Sequence, residues 1–159
     1  MDAYYVVNDP KDPIAVRATE NRKQDYLFWN EVKPGLKDDF DISCHTLATR
    51  TGLSERRTRD ITMALYRLAE LPLTMALQET YYFLDFSRLI TIDAVLSKLG
   101  DIPTETLERI DQELARYLTP TRPGQVLPSS TNLRRKLNGL IAVEYPNAEE
   151  AEESDARSD

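Results

Sequence analysis

The chain has 159 residues, 41% of them apolar and 30% charged, enough for one domain with a substantial core and too few for two. No stretch approaches the ~20 apolar residues of a membrane span, no leader is visible after Met1-Asp2-Ala3-Tyr4-Tyr5, and the lone Cys44 cannot form an internal disulfide. A membrane role is therefore excluded and a cytoplasmic protein expected. The net charge of −7 is unevenly placed: residues 144–159 carry seven acids and one base, which leaves residues 1–143 at −1. A nearly neutral body with clustered basic groups remains compatible with a nucleic-acid partner.

Helical spacing dominates from the first element onward. Asp12-Pro13 reads as a cap followed by proline in the first turn. The helix it opens should run to about Lys33 before Pro34-Gly35, with a polar middle (Glu20–Asp25) that leaves room for a break. After the acids Asp38, Asp39 and Asp41, a short helix is expected near Cys44–Thr51. Gly52 stops it, and Ser54 caps a longer helix to about Leu71. Pro72 breaks the chain ahead of a short helix over Leu73–Gln78, and Tyr81-Tyr82-Phe83-Leu84 reads as a packed connection or helix end.

Asp85 should cap a helix carrying Leu89, Ile92, Leu96 and Leu99, closed by Gly100. Pro103-Thr104 opens another, with Leu107, Ile110, Leu114 and Leu118 as its stripe. Pro120, Pro123, Gly124 and Pro128 make residues 119–129 a stiff loop. Ser130 is expected to cap the last helix, with Leu133, Leu137, Leu140 and Ile141 on one face. Residues 146–159 form an acidic tail with too little apolar surface to order itself. Ile92-Asp93-x-x-Leu96 and Ile110-Asp111-x-x-Leu114 look alike, but one short pair falls short of the three units a solenoid needs.

The most informative stretch runs from His45 to Ile61, where the spacing matches a helix-turn-helix. Ala48 is small where the helices would cross, Gly52 permits the turn, Leu53 should plug the corner and Ile61 anchors the second helix. A DNA reader offers side chains from the start of its second helix to the major groove. With Ile61 facing inward, 100° steps place Arg56, Arg59 and Arg67 outward, and Ser54 and Arg56 in the first turn. The same spacing suits a plain helical bundle, since Glu55 and Asp60 dilute the positive face and Ile61, Ala64, Leu65 and Leu68 form a core stripe. A second basic cluster, Arg134-Arg135-Lys136 with Arg122 in the preceding loop, fits either phosphate contacts or a solvated helix face.

Catalytic and metal chemistry find no constellation. Asp85, Asp93, Glu105, Asp111 and Glu113 lack the Glu-x-x-His pair of helical di-metal sites, because His45 is the single histidine. Cys44 and His45 are helix neighbours pointing about 100° apart, and the five glycines form no phosphate-cradling loop. No catalytic residue, metal, cofactor or small-molecule substrate is expected.

From about Pro13 to Ile141 the sequence resembles the actinobacterial domain-of-unknown-function family 222, the 13E12 repeat family. The blocks that carry the resemblance are Thr51–Arg57, Ala69–Pro72, Leu84–Asp93 with Leu96–Gly100, and Tyr117–Ser129 leading into Leu133–Leu137. The last block is the most specific and is close to corynebacterial members. In that family the region usually precedes an HNH nuclease domain, whose histidines, asparagine and zinc-binding cysteine pairs cleave DNA. One His and one Cys cannot supply such a centre, so the resemblance implies association with DNA processing without cleavage.

The expectation is an all-α single domain of about six helices over residues 1–145, with a helix-turn-helix-like pair and a disordered acidic tail. Its function would be non-catalytic association with DNA. Ser54, Arg56, Arg59 and Arg67 would serve the groove, and Arg122, Arg134, Arg135 and Lys136 the phosphates. The alternative is a protein-interaction module that binds or regulates a protein partner, a nuclease or host DNA enzyme, using an exposed Tyr81-Tyr82-Phe83 patch and the acidic tail.

Overall fold

Asp12 opens the first helix through its side chain, whose Oδ1 accepts the Ile14 amide at 2.9 Å and the Ala15 amide at 3.4 Å. These are two of the amides that a helix start leaves without partners. The computed structural model describes residues 6–7, 9–33 and 40–146. Pro34-Gly35, the acids Asp38 and Asp39 and the acidic tail beyond Pro146 lie outside the described residues.

The first helix, α1 (Pro13–Val32), is unbroken. Its polar middle stays helical because it faces solvent and is braced within the helix, with Gln24 Nε2 donating to Glu20 Oε1 at 2.9 Å one turn back. Burial is confined to Ala15, Tyr26 and Trp29. Tyr26 reaches across to donate its hydroxyl to Glu79 at 3.0 Å. Burial, then this contact with a carboxylate, pushes the phenol well above its ordinary range.

Six further helices follow: α2 (Phe40–Thr51), α3 (Glu55–Ala69), α4 (Pro72–Tyr81), α5 (Phe86–Ser97), α6 (Thr104–Leu118) and α7 (Ser130–Ile141). The described fold is therefore all-α, with seven helices where about six were expected. Its only strand pairing among the described residues is a ribbon of two residues on each side, β1 (Val6–Val7) against β2 (Gln125–Val126), antiparallel with Val6 opposite Val126. Two-residue strands leave no alternation to find in a sequence, so residues 119–129 read there only as loop.

Packing radiates from α5. It lies against α3 and α7, while α4 packs on α6, α2 on α3 and α6 on α7. Leu65 and Leu68 of α3, Leu89, Ile92 and Leu96 of α5, Ile110 and Leu114 of α6, and Leu133 and Leu137 of α7 are buried together. Each such side chain contributes about 1.5–3 kcal/mol by leaving water.

Buried polar groups fasten the connections, and none among the described side chains lacks a partner. Gln78 forks onto Leu84, its Oε1 accepting the Leu84 amide at 2.9 Å and its Nε2 donating to the Leu84 carbonyl at 3.0 Å. Arg88, 2% exposed, donates through Nε to the Pro128 carbonyl at 2.7 Å and so pins the 119–129 loop to α5. Tyr82 closes α4 at φ +50, a left-handed conformation uncommon outside glycine. Arg22 holds it by donating to its carbonyl at 3.0 Å.

Two expectations are corrected here. Ser129, not Ser130, caps α7, with its Oγ accepting the Asn132 amide at 3.2 Å; Ser130 Oγ meets Ser87 Oγ instead, at 3.2 Å. The Tyr81-Tyr82-Phe83 run is not an exposed patch, because Phe83 is 1% exposed and the two tyrosines are half-buried. Phe83 packs edge-on to Tyr81, with ring centroids 5.8 Å apart.

Candidate nucleic-acid interface

Helix α2 ends where Gly52 turns the chain at φ +77, a conformation that costs a side-chain-bearing residue about 1 kcal/mol. The Gly52 and Leu53 amides both return to the Ala48 carbonyl, at 2.9 and 3.2 Å, and satisfy the end of the helix. Ser54 then caps α3, its Oγ accepting the Arg57 amide at 3.0 Å. Three residues thus separate the two helices. Ala48 and Cys44 are buried at the crossing. Leu53 does not plug the corner as its position in the motif suggested, since it is 40% exposed.

On α3, Thr58, Ile61, Thr62, Ala64, Leu65 and Leu68 face inward. Arg56, Arg57 and Arg59 stand exposed on its first two turns, at the end where the helix dipole already favours negative charge. Of the two acids that dilute this surface, Glu55 is engaged by His45, whose Nδ1 meets Glu55 Oε1 across the turn, and Asp60 is half-buried beside Arg59. Ser54 is exposed but carries the cap. Arg50, in the last turn of α2, is exposed beside the same corner.

Arg67 is a correction. Its side chain is 16% exposed and bound at both ends, through Nε to Asp93 at 3.1 Å and Nη1 to Glu70 at 3.0 Å. It ties α3 to α5 and has no place on an outward face. The helical angle was right, but α5 packs close enough on that side to capture the guanidinium.

The second basic cluster sits elsewhere. Arg135 is exposed on α7, Arg134 is half-buried, and Lys136 holds its ammonium 5.3 Å from the Tyr117 ring centroid. Arg122 is exposed in the preceding loop. Helices α3 and α7 each pack on α5, so the two expected groups of contacts belong to different helices with α5 between them.

Sequence reasoning missed Arg50 and Arg57. The signal was present in the run Arg50-Thr-Gly-Leu-Ser-Glu-Arg-Arg57, but ideal angles drawn from Ile61 turn Arg57 toward the core. In a first helical turn with nothing packed over it, that side chain splays into solvent.

Other surfaces offer less to a phosphate. A groove of about 380 Å³ is lined by Asp9, Pro10, Ala15, Val16, Thr19 and Glu20, whose only charges are acidic. Among the described residues no group of three or more His, Cys, Asp or Glu is placed to hold a metal ion, and no described helix is long and apolar enough to cross a membrane. No family model, curated protein or solved structure matches the chain.

Proposed function

We propose that this chain is a non-catalytic module, working in the cytoplasm, that associates with duplex DNA through the first two turns of α3. The observation that carries the reading is the exposure of Arg56, Arg57 and Arg59 directly after a three-residue turn, with Glu55 drawn aside by His45. A capped helix start with three guanidinium groups suits both base edges and phosphates. The resemblance of Thr51–Arg57 and the later blocks to family 222 points the same way, because that region usually precedes a DNA-cleaving domain.

The test is fluorescence anisotropy with a random-sequence duplex across a salt series. Each phosphate contact adds about −0.9 to the slope of log affinity against log salt. A slope steeper than about −2 is expected; no binding at low salt sinks the reading.

A second reading rests on Met63, one turn beyond Arg59 and 43% exposed. Methionine and arginine are both enriched in protein interfaces, so the same strip suits an acidic protein surface. Met63→Glu should abolish capture of such a partner. If the strip serves DNA alone, that variant leaves capture of proteins from cell extract unchanged.

A further inference from the structure

We propose that His45 is a positioning residue for the arginine face of α3, an inference that rests on the DNA reading of that helix and gives the site its regulation. Protonated, the imidazole holds Glu55 away from the arginines, so duplex binding strengthens as pH falls. Histidine ordinarily changes charge between pH 5 and 8, and His45 is the single histidine of the chain.

Both partners are held in place by the turn that joins them. His45 follows the buried Cys44 on α2 and precedes the buried Ala48 by three residues, which puts it at the edge of the α2–α3 crossing. The Thr49 hydroxyl donates to the His45 carbonyl at 3.0 Å. On the other side Ser54 caps α3 through the Arg57 amide, and the Thr58 hydroxyl returns to the Ser54 carbonyl at 3.0 Å. Glu55 comes next, at the first position of α3, and its Oε1 meets His45 Nδ1. Both side chains are more than half exposed, so protons reach the pair freely.

Glu55 has other cations within reach. Arg56 adjoins it, and Arg59 lies one turn on, the spacing at which a carboxylate and a guanidinium pair along a helix. An imidazolium competes with them as a charge, whereas a neutral imidazole offers at most one N–H. The neighbouring charges on α2 are Arg50 and, one turn back in helical register, Asp41. On α3, which packs against α2, they are Glu55, Arg56, Arg57, Arg59 and Asp60. Across residues 45–60 the arginines exceed the acids by two charges, and protonation of His45 raises the excess to three. A polyanion favours the more positive corner, so binding takes up protons and affinity falls as pH rises.

Anisotropy with a random-sequence duplex at constant salt, from pH 5.5 to 8, tests it. The full chain should bind about three- to fivefold more tightly at pH 5.5 than at pH 8, the scale of one exposed charge pair. His45→Gln stays polar without titrating and should give a flat profile at the weaker affinity. Glu55→Gln should bind at pH 8 at least as tightly as the native chain at pH 5.5, and should lose most of the pH dependence. Helix content should hold in both variants, since the side chains are exposed and the Ser54 cap is untouched. Binding with a flat native profile overturns the proposal and leaves the DNA reading standing; no binding at any pH sinks both. A profile that survives in His45→Gln traces the proton elsewhere, and one undiminished in Glu55→Gln makes His45 itself the contact. Either result overturns the proposal.

Discussion

Asp111 grips Thr74 at two points: its Oδ1 accepts the Thr74 amide at 2.9 Å and the Thr74 hydroxyl at 2.8 Å. Its other oxygen accepts the Leu73 amide, also at 2.9 Å. Helix α4 begins at Leu71-Pro72 with no side-chain cap of its own, so a buried carboxylate from α6 closes it. Helix starts demand acceptors for their free amides, and a charged acceptor at the positive end of the dipole is the strong form.

Asp111→Ala leaves the buried amide and hydroxyl of Thr74 and the part-buried amide of Leu73 without partners. It should lower the free energy of unfolding by about 3 kcal/mol, read as a shifted urea midpoint with an unchanged slope. Asp111→Asn keeps the shape and one acceptor and should cost less, about 1–2 kcal/mol. Equal losses in both variants would contradict the capping role.

Arg56→Ala/Arg59→Ala should weaken duplex binding about tenfold or more and flatten the salt slope by about one to two contacts. Helix content should hold, since both side chains are exposed. Arg67→Ala separates surface from structure. It removes the α3–α5 ion pair with Asp93, so it should lower stability by about 1–2 kcal/mol and leave the salt slope unchanged. Loss of binding in Arg67→Ala at full folding would return Arg67 to the interface.

The hydrogen bond from Thr106, and then Arg109, hold the Glu144 carboxyl below its ordinary value of 4.5. A depressed carboxylate stabilises the fold when ionised in both states, so its contribution is complete above pH 4.5 and fades as pH falls through the lower, folded value. Melting temperatures of the native chain and Glu144→Gln should therefore differ most near neutrality and converge as acid protonates the carboxylate in both states. A gap that widens on acidification would reverse the assignment.

Two glycines should respond in opposite directions. Gly52→Ala meets no atom within 4 Å, yet its φ of +77 should cost about 1 kcal/mol. Gly139 lies within α7 with equally open space around it, so Gly139→Ala should stabilise by about 0.5–1 kcal/mol. Thermal unfolding of the pair checks both signs.

What the sequence made legible was local. Ser54 and Asp85 were readable as caps because each bonds an amide three residues on, and the α3 stripe because periodicity needs only one helix. The illegible parts depend on distant residues. Nothing near Asp111 announces that it closes α4, nothing near Arg88 that Pro128 awaits it, and Arg67 looked outward until α5 supplied Asp93. Phe83 likewise sits in an aromatic run whose exposure was set by what packs over it. At the candidate interface, spacing alone placed Ser54, Arg56 and Arg59 on the exposed side of the turn. Arg57 was missed because ideal angles fail in an uncovered first turn.

Gln78 answers both backbone groups of Leu84 with one side chain, standing in for a neighbouring strand. Few replacements can do this: asparagine falls a methylene short, glutamate has no donor, and leucine has neither group. Position 78 therefore accepts few side chains besides glutamine, because both hydrogen bonds to Leu84 must be made by one residue. A saturation scan would find it as a polar position as intolerant as any leucine of the core.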